Sequence, residues 1–254
     1  MVVQEQTLYA IATAIALVAT VVAAISIRKY NSRSRQHVAA VALALGLLTA
    51  GYGLMALDLL VISTPDGEPV YLSRFGLYTV TYTFLMSYVG LVAGASLRYR
   101  LVPAVATLGF VYGTVVVQLA PAPFDSLGSL TVLASLAVVV WAFFGPLTRA
   151  ARSVSGNQRL LFIKLRNLGV LVFLSYLLLA LLTRQALGLF DAFVGVFVAA
   201  YVDLLAHLGL TGLIVYSREA VEELAAEHRS PLATFTVRSG AAGESNEKGQ
   251  PADD

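Results

Sequence analysis

The chain has 254 residues, of which 58% are hydrophobic and 13% are charged, and its mean hydropathy is +0.78. Average soluble domains carry about 25% charged residues, so this composition excludes that class and predicts an integral membrane protein embedded in lipid. The absence of cysteine excludes disulfides and cysteine-ligated metals, the three dispersed histidines predict no metal site, and a net charge of +2 gives no sign of a nucleic-acid-binding face.

Seven apolar runs reach the roughly 20 residues that a helix needs to cross the hydrocarbon core. The first, Thr7 to Ile27, follows a stretch without basic residues and precedes several of them, which favours a retained helix over a cleaved signal peptide. The second, His37 to Ile62, contains Gly51 and Gly53, which allow close helix approach, and a turn-rich segment 63–71 follows it. The later predicted spans are Leu72 to Leu97, Leu101 to Leu119, Leu127 to Leu147, Leu165 to Leu182 and Phe190 to Tyr216.

The basic residues near the ends of these spans lie mostly on one side. Eleven belong to the connections after the first, third and fifth spans, whereas Arg74 and Arg184 lie on the other side. Because Lys and Arg accumulate in cytoplasmic loops, this predicts an all-α seven-helix bundle in the plasma membrane, with its N-terminus outside and its C-terminus in the cytoplasm. The predicted domains are a transmembrane domain 1–217, a cytoplasmic helical extension 218–229 and a disordered tail 230–254, which is rich in Gly, Ser and charge.

The last span contains two ionisable residues, Asp203 and His207, within the run AAYVDLLAHLGLTGLIVY. Ionisable groups inside a membrane helix usually mark a functional site. Four residues apart, the two lie on one helix face and can share a hydrogen bond or an ion pair. A plain structural role, in which they satisfy each other and a neighbouring helix, remains open beside a functional one. Because histidine titrates near neutral pH, His207 is also a pH-sensing candidate.

Four stretches carry a resemblance to a known family: SRFGLYTVTYTF in the third span, FFGPLT ending the fifth, KLRNLGVLVFLSY entering the sixth and YVDLLAHLG in the seventh. Together they resemble the microbial rhodopsins, and most closely the haloarchaeal sensory rhodopsins, over nearly the whole chain. The resemblance implies that Asp203 takes the place of the seventh-helix counterion, Arg74 that of the third-helix arginine and Tyr176 that of the sixth-helix pocket tyrosine. It also implies a buried charge network of Arg74, Asp203 and His207.

The sequence departs from this family at the residues of its photochemistry. The family attaches retinal to a lysine at the position of His207, and an imidazole, which has no primary amine, does not form that imine. Leu77 replaces the carboxylate that accepts the proton in pumps, and Tyr88 occupies the later donor position. A proton relay across the membrane therefore lacks its titratable steps.

The residues of the implied chromophore pocket are changed as well. Tyr78 and Phe173 stand where the family sandwiches the chromophore between tryptophans, Ala180 replaces a third aromatic residue and Leu177 replaces a proline. The space left by Ala180 either repacks or accepts a lipid-like ligand. No covalent cofactor is expected, and the remnant pocket for non-covalent retinal or a related isoprenoid would consist of His207, Asp203, Tyr78, Thr81, Phe173 and Tyr176.

Loss of the attachment chemistry with retention of the fold predicts a light-independent sensor or regulatory subunit. It would act through a transducer-like membrane partner, with Tyr201 as the contact, and a homo-oligomer is also open. No phosphate-binding glycine loop or HExxH motif occurs, which favours a non-enzymatic protein. Two alternatives are a photoreceptor-like protein that holds retinal non-covalently, and passive ion or proton conduction along the hydroxyl-rich third span.

Overall fold

The computed structural model describes residues 2–64, 67, 69–182 and 187–227. In this part of the chain seven helices are long and apolar enough to cross a membrane, so the predicted seven-helix all-α fold is confirmed. The predicted tail 230–254 and the end of the predicted extension 218–229 lie outside the described residues. The spanning helices are α1 (Val2–Ser26), α2 (Arg35–Ala56), α3 (Leu72–Val92), α4 (Leu97–Leu119), α5 (Phe124–Phe144), α7 (Gly156–Leu182) and α8 (Ala192–Tyr216).

Shorter elements connect these helices. The second span was predicted to continue to Ile62, but α2 ends at Ala56, because Asp58 and Leu60 take positive φ values of 57° and 58° that a right-handed helix does not allow. Ile62 instead lies opposite Val70 in an antiparallel hairpin. The short elements are a 3-10 turn (Ile27–Lys29), β1 (Val61–Ser63), β2 (Pro69–Tyr71), α6 (Pro146–Ala150) and α9 (Arg218–Ala226).

The sixth spanning helix, α7, begins nine residues before the predicted Leu165. Ser155 precedes its first turn, and the Ser155 hydroxyl accepts a hydrogen bond from the backbone N–H of Gln158 at 3.2 Å. This side-chain cap satisfies a donor that a helix leaves free at its start. Basic residues that were predicted to lie in a loop, such as Lys164, therefore lie on the helix.

Helix α3 is the most enclosed of the spanning helices. In its most apolar window 67% of the residues are buried, compared with 22% for α1. It contacts α2, α4 and α7, and its inward face contributes Leu85, Met86 and Leu91 to the main core. A side chain on the inner face of α3 therefore meets several other helices at once.

Close helix contacts depend on glycine at two places. A Cβ on Gly51 of α2 would lie 1.4 Å from Cδ1 of Leu77, so only glycine leaves Leu77 its observed position. A Cβ on Gly53 would lie 3.9 Å from Thr13, which is an ordinary contact. Between α4 and α5, a Cβ on Gly128 would approach the carbonyl oxygen of Gly113 to 2.8 Å, so the two backbones themselves meet.

Helix α9 packs across the end of the bundle at which α7 begins and α8 ends. Its apolar face is buried. Its acidic face turns to the start of α7, where Asn157 donates to Glu219 at 3.2 Å and to Glu223 at 2.9 Å. Nearby, the buried hydroxyl of Tyr30 donates to the Val215 carbonyl at 2.5 Å, and burial raises the pKa of this phenol. The apolar face of α9 consists of Ala220, Val221, Leu224 and Ala225.

Candidate functional site

The carboxylate of Asp203 is the centre of the candidate site. Asp203 is 0% exposed and receives hydrogen bonds from three other helices. Oδ2 accepts from the Tyr52 hydroxyl of α2 at 2.9 Å, and Oδ1 accepts from the Tyr82 hydroxyl of α3 at 3.2 Å. Tyr78 of α3 and Tyr176 of α7 also donate their hydroxyls to this carboxylate.

Arg74 supplies the positive charge that balances Asp203. Its Nη2 lies 3.2 Å from Oδ2 of Asp203. Its Nε donates to the Tyr78 hydroxyl at 2.6 Å, so the guanidinium holds the tyrosine that in turn donates to the carboxylate. Because the opposite charges of Arg74 and Asp203 sum to zero, the site buries an ion pair rather than a lone charge.

His207 lies one helical turn beyond Asp203, and both of its ring nitrogens have partners. Nδ1 lies 2.9 Å from the backbone carbonyl oxygen of Asp203, and Nε2 lies 3.0 Å from the Thr81 hydroxyl oxygen. The ring also meets the edge of Tyr82, with the centroids 4.7 Å apart. The sequence-based interpretation left open a hydrogen bond or ion pair between Asp203 and His207; the observed bond runs to the backbone of Asp203. The imidazole ring folds back along its own helix, and the side-chain carboxylate of Asp203 instead accepts hydrogen bonds from residues of the other helices.

The interior around His207 is filled by protein side chains. Thr81 and Asp203 are 0% exposed and His207 is 1% exposed, so all three side chains are packed against protein. Phe173 is also buried, and its ring packs edge-on against Phe110 with the centroids 5.3 Å apart. Ala180, where the sequence left a cavity or repacking open, is an exposed residue of α7 and lies outside this packed group.

Other residues singled out in the sequence lie away from this cluster. Tyr201 is 61% exposed on the outer face of α8. Leu77 packs on Gly51 of α2. The Tyr88 hydroxyl lies 3.4 Å from Nδ1 of His37, in a separate buried polar pair further along α3.

Sequence reasoning missed two donors to Asp203, Tyr52 and Tyr82. Tyr82 carried a signal, because Arg74, Tyr78 and Tyr82 follow one another at intervals of four and so share one face of α3. Tyr52 lies between two glycines, and no spacing to another polar residue of α2 indicated that it would face Asp203. Its place beside Asp203 depends on how α2 is rotated against α8.

Comparisons with known proteins agree with this architecture. A family model described as bacteriorhodopsin-like protein matches residues 3–221. Sensory rhodopsin-2 of Natronomonas pharaonis is 26% identical over 218 residues, which cover 85% of this chain and 89% of that protein.

Two solved structures show the same fold. The thermophilic rhodopsin of Rubrobacter xylanophilus superposes with a TM-score of 0.81 at 20% identity, over 87% of this chain and 99% of that one. The light-driven proton pump of Coccomyxa subellipsoidea superposes with a TM-score of 0.75 at 17% identity, over 84% of this chain and 96% of that one. The chain therefore belongs to the bacteriorhodopsin-like family and is a multi-pass protein of the plasma membrane.

Proposed function

We propose that this protein is a light-independent sensor or regulatory subunit that acts through helix contacts with another membrane protein. One observation carries the proposal. The residue at the family's attachment position, His207, has no primary amine, both of its ring nitrogens are engaged, and it is 1% exposed. The seven-helix fold is kept, while the amine that reacts with retinal in the family is replaced by the packed and hydrogen-bonded imidazole of His207.

The residues present do not fit a covalently attached retinal. An imine requires an amine, and the chain places imidazole there. The ring of Tyr82 lies against His207, and Thr81 and Asp203 are both 0% exposed. The Asp203 carboxylate already pairs with Arg74, so it needs no bound cation as its partner. These contacts also weigh against non-covalent binding of a retinoid beside His207.

The outer face of α8 supports contact with a membrane partner. Phe197 and Tyr201 are 51% and 61% exposed, and a Cβ on Gly212 would meet nothing within 4 Å. At roughly 100° per residue, Phe197, Tyr201 and Gly212 fall within about 60° of one another on the helix. A helix face that carries aromatic side chains and, about three turns further on, a glycine offers both bulk and close backbone approach, which suits a second transmembrane helix. The similarity to a protein named as a sensory rhodopsin supports signalling over transport.

Absorption spectra after incubation with all-trans retinal test the light-independent role. The purified protein is expected to show no new visible band. His207→Lys, which restores an amine, and His207→Lys combined with Tyr82→Thr, which also removes the adjacent ring, are the matched variants. A band that appears only in these variants supports loss of attachment in an otherwise intact fold. A red-shifted band in the unmodified protein would contradict the proposal and indicate non-covalent photoreception.

The partner contact is tested with a photo-crosslinking amino acid placed at Tyr201, in membranes of the organism that expresses the protein. The matched control places the same amino acid at Trp141, which is 55% exposed on α5. A defined adduct is expected from position 201 and not from position 141. Equal labelling at both positions, or none at 201, would remove the outer face of α8 as the contact surface.

A further inference from the structure

Resting on the proposed sensor role, we infer that His207 is a proton-binding site and that Thr81 satisfies its ring in both protonation states. The Thr81 hydroxyl oxygen lies 3.0 Å from Nε2 of His207 and 2.9 Å from the backbone carbonyl oxygen of Leu77. A hydroxyl can donate one hydrogen and can also accept. Thr81 is therefore placed between a group that changes its protonation and a group that only accepts.

The neutral state follows from the other ring nitrogen. Nδ1 lies 2.9 Å from the carbonyl oxygen of Asp203, and because a carbonyl accepts only, Nδ1 carries a hydrogen. In the neutral ring Nε2 is then an acceptor, and the Thr81 hydroxyl donates to it. Both nitrogens are satisfied without a water molecule.

The protonated state needs only a rotation of one hydroxyl. When Nε2 binds a proton it becomes a donor, and the Thr81 oxygen accepts from it. The Thr81 hydrogen then turns to the Leu77 carbonyl oxygen, which is already within hydrogen-bond distance at 2.9 Å. Neither state leaves a buried ring nitrogen unpaired, which would otherwise cost about 1–3 kcal/mol.

The charged groups nearest the ring are Asp203 and its partner Arg74. Asp203, one helical turn away, is balanced by Arg74, so protonation places a single positive charge beside an ion pair. Tyr82 contacts the ring directly, while Tyr78, Tyr52 and Tyr176 face the carboxylate as neutral donors. Proton binding would therefore turn the Thr81 hydroxyl and link the protonation state of His207 on α8 to α3, the most buried of the seven spanning helices.

Nitrogen NMR of the full-length protein in lipid nanodiscs, labelled with 15N-histidine, tests the inference. As the pH falls from about 8 to about 4, a range that extends below the usual one for histidine because burial disfavours the charged ring, Nδ1 of His207 is expected to stay protonated while Nε2 changes from bare to protonated. His207→Gln identifies its signals against those of the other two histidines. Because the titration is at equilibrium, the rate at which protons reach the buried ring does not affect the endpoint.

Two variants of Thr81 distinguish a His207 that binds a proton with the help of the threonine hydroxyl from a buried histidine that does not depend on it. Thr81→Ser keeps the hydroxyl and is expected to keep the change at Nε2. Thr81→Val keeps the volume but removes the acceptor, so Nε2 is expected to stay bare across the same range. A single Nε2 state in the unmodified protein, or an unchanged titration in Thr81→Val, would overturn the inference. Neither readout involves retinal or a partner, so a failed sensor role and a failed proton site are distinguished.

Discussion

At the scale of single residues, the main feature is a buried carboxylate with more donors than it has lone pairs. Arg74 and four tyrosines donate to Asp203, whose two oxygens offer about four lone-pair sites. These donors come from α2, α3 and α7, so the carboxylate ties three helices to α8. Removing its charge should therefore affect the stability of the whole bundle.

The variant Asp203→Asn is expected to lower the free energy of unfolding by about 3 kcal/mol, the lower end of the range for breaking a buried ion pair, because Arg74 is partly exposed. The amide has one acceptor oxygen in place of two and leaves the guanidinium without a counter-charge. Denaturation in mixed micelles measures the change.

The matched control is Asp191→Asn, which makes the same chemical change at the start of α8. The Asp191 side chain accepts from the backbone N–H of Val194 at 2.7 Å, and asparagine caps a helix about as well as aspartate. Its stability should stay within about 0.5 kcal/mol of the parent, as for most surface changes. Equal losses in both variants would show that the ion pair with Arg74 is not the cause.

At the scale of elements, the contact between α2 and α3 includes the side chain of Leu77, which packs directly against Gly51. Leu77, which the resemblance to the microbial rhodopsins aligns with the proton acceptor of pumps, occupies the surface that Gly51 leaves open. By that resemblance, a hydrocarbon side chain stands where a pump needs a titratable group. Because Leu77 packs against Gly51, the leucine at this position is also part of the contact between α2 and α3.

Gly51→Ala is expected to lose about 1–3 kcal/mol of unfolding free energy through overpacking against Leu77. Gly53→Ala, two residues further along α2, is the matched control, because its Cβ would make only an ordinary contact with Thr13. That variant should be neutral or gain up to about 1 kcal/mol from the higher helix propensity of alanine. Adding Leu77→Ala to Gly51→Ala should recover part of the loss, and purely additive effects would contradict the contact.

At the scale of the whole molecule, the direction of insertion is a prediction from the basic residues at helix ends. The chain has no cysteine, so single introduced cysteines report on one position each. Ser126, near the start of α5, and Ser153, between α6 and α7, are both exposed. They lie at opposite ends of the bundle and are expected on opposite sides of the membrane.

A membrane-impermeant maleimide applied to intact cells is expected to label Ser126→Cys and to label Ser153→Cys only after permeabilisation. The physical reason is the accumulation of Lys and Arg in the connections on the side of Ser153. Each variant serves as the other's control for reactivity once the cells are opened. The reverse pattern would mean that the chain inserts with its N-terminus in the cytoplasm.

The sequence by itself determined the fold class and the membrane location, because the length and apolarity of a spanning helix are local properties of the chain. Asp203 and His207 stood out as ionisable residues within an apolar run, and the family resemblance added Arg74, Tyr78 and Tyr176 to the predicted site. The hairpin after α2 was missed because a short apolar run suits a strand as well as a helix end.

Only the tertiary structure decided which atoms meet. It brought Tyr52 and Tyr82 to the Asp203 carboxylate and turned the ring of His207 to the backbone of its own helix and to Thr81. These partners depend on how each helix is rotated and how closely it approaches its neighbours. The rotation of a helix is set by its packing against the other helices, and it cannot be read from the apolar run that predicts the helix.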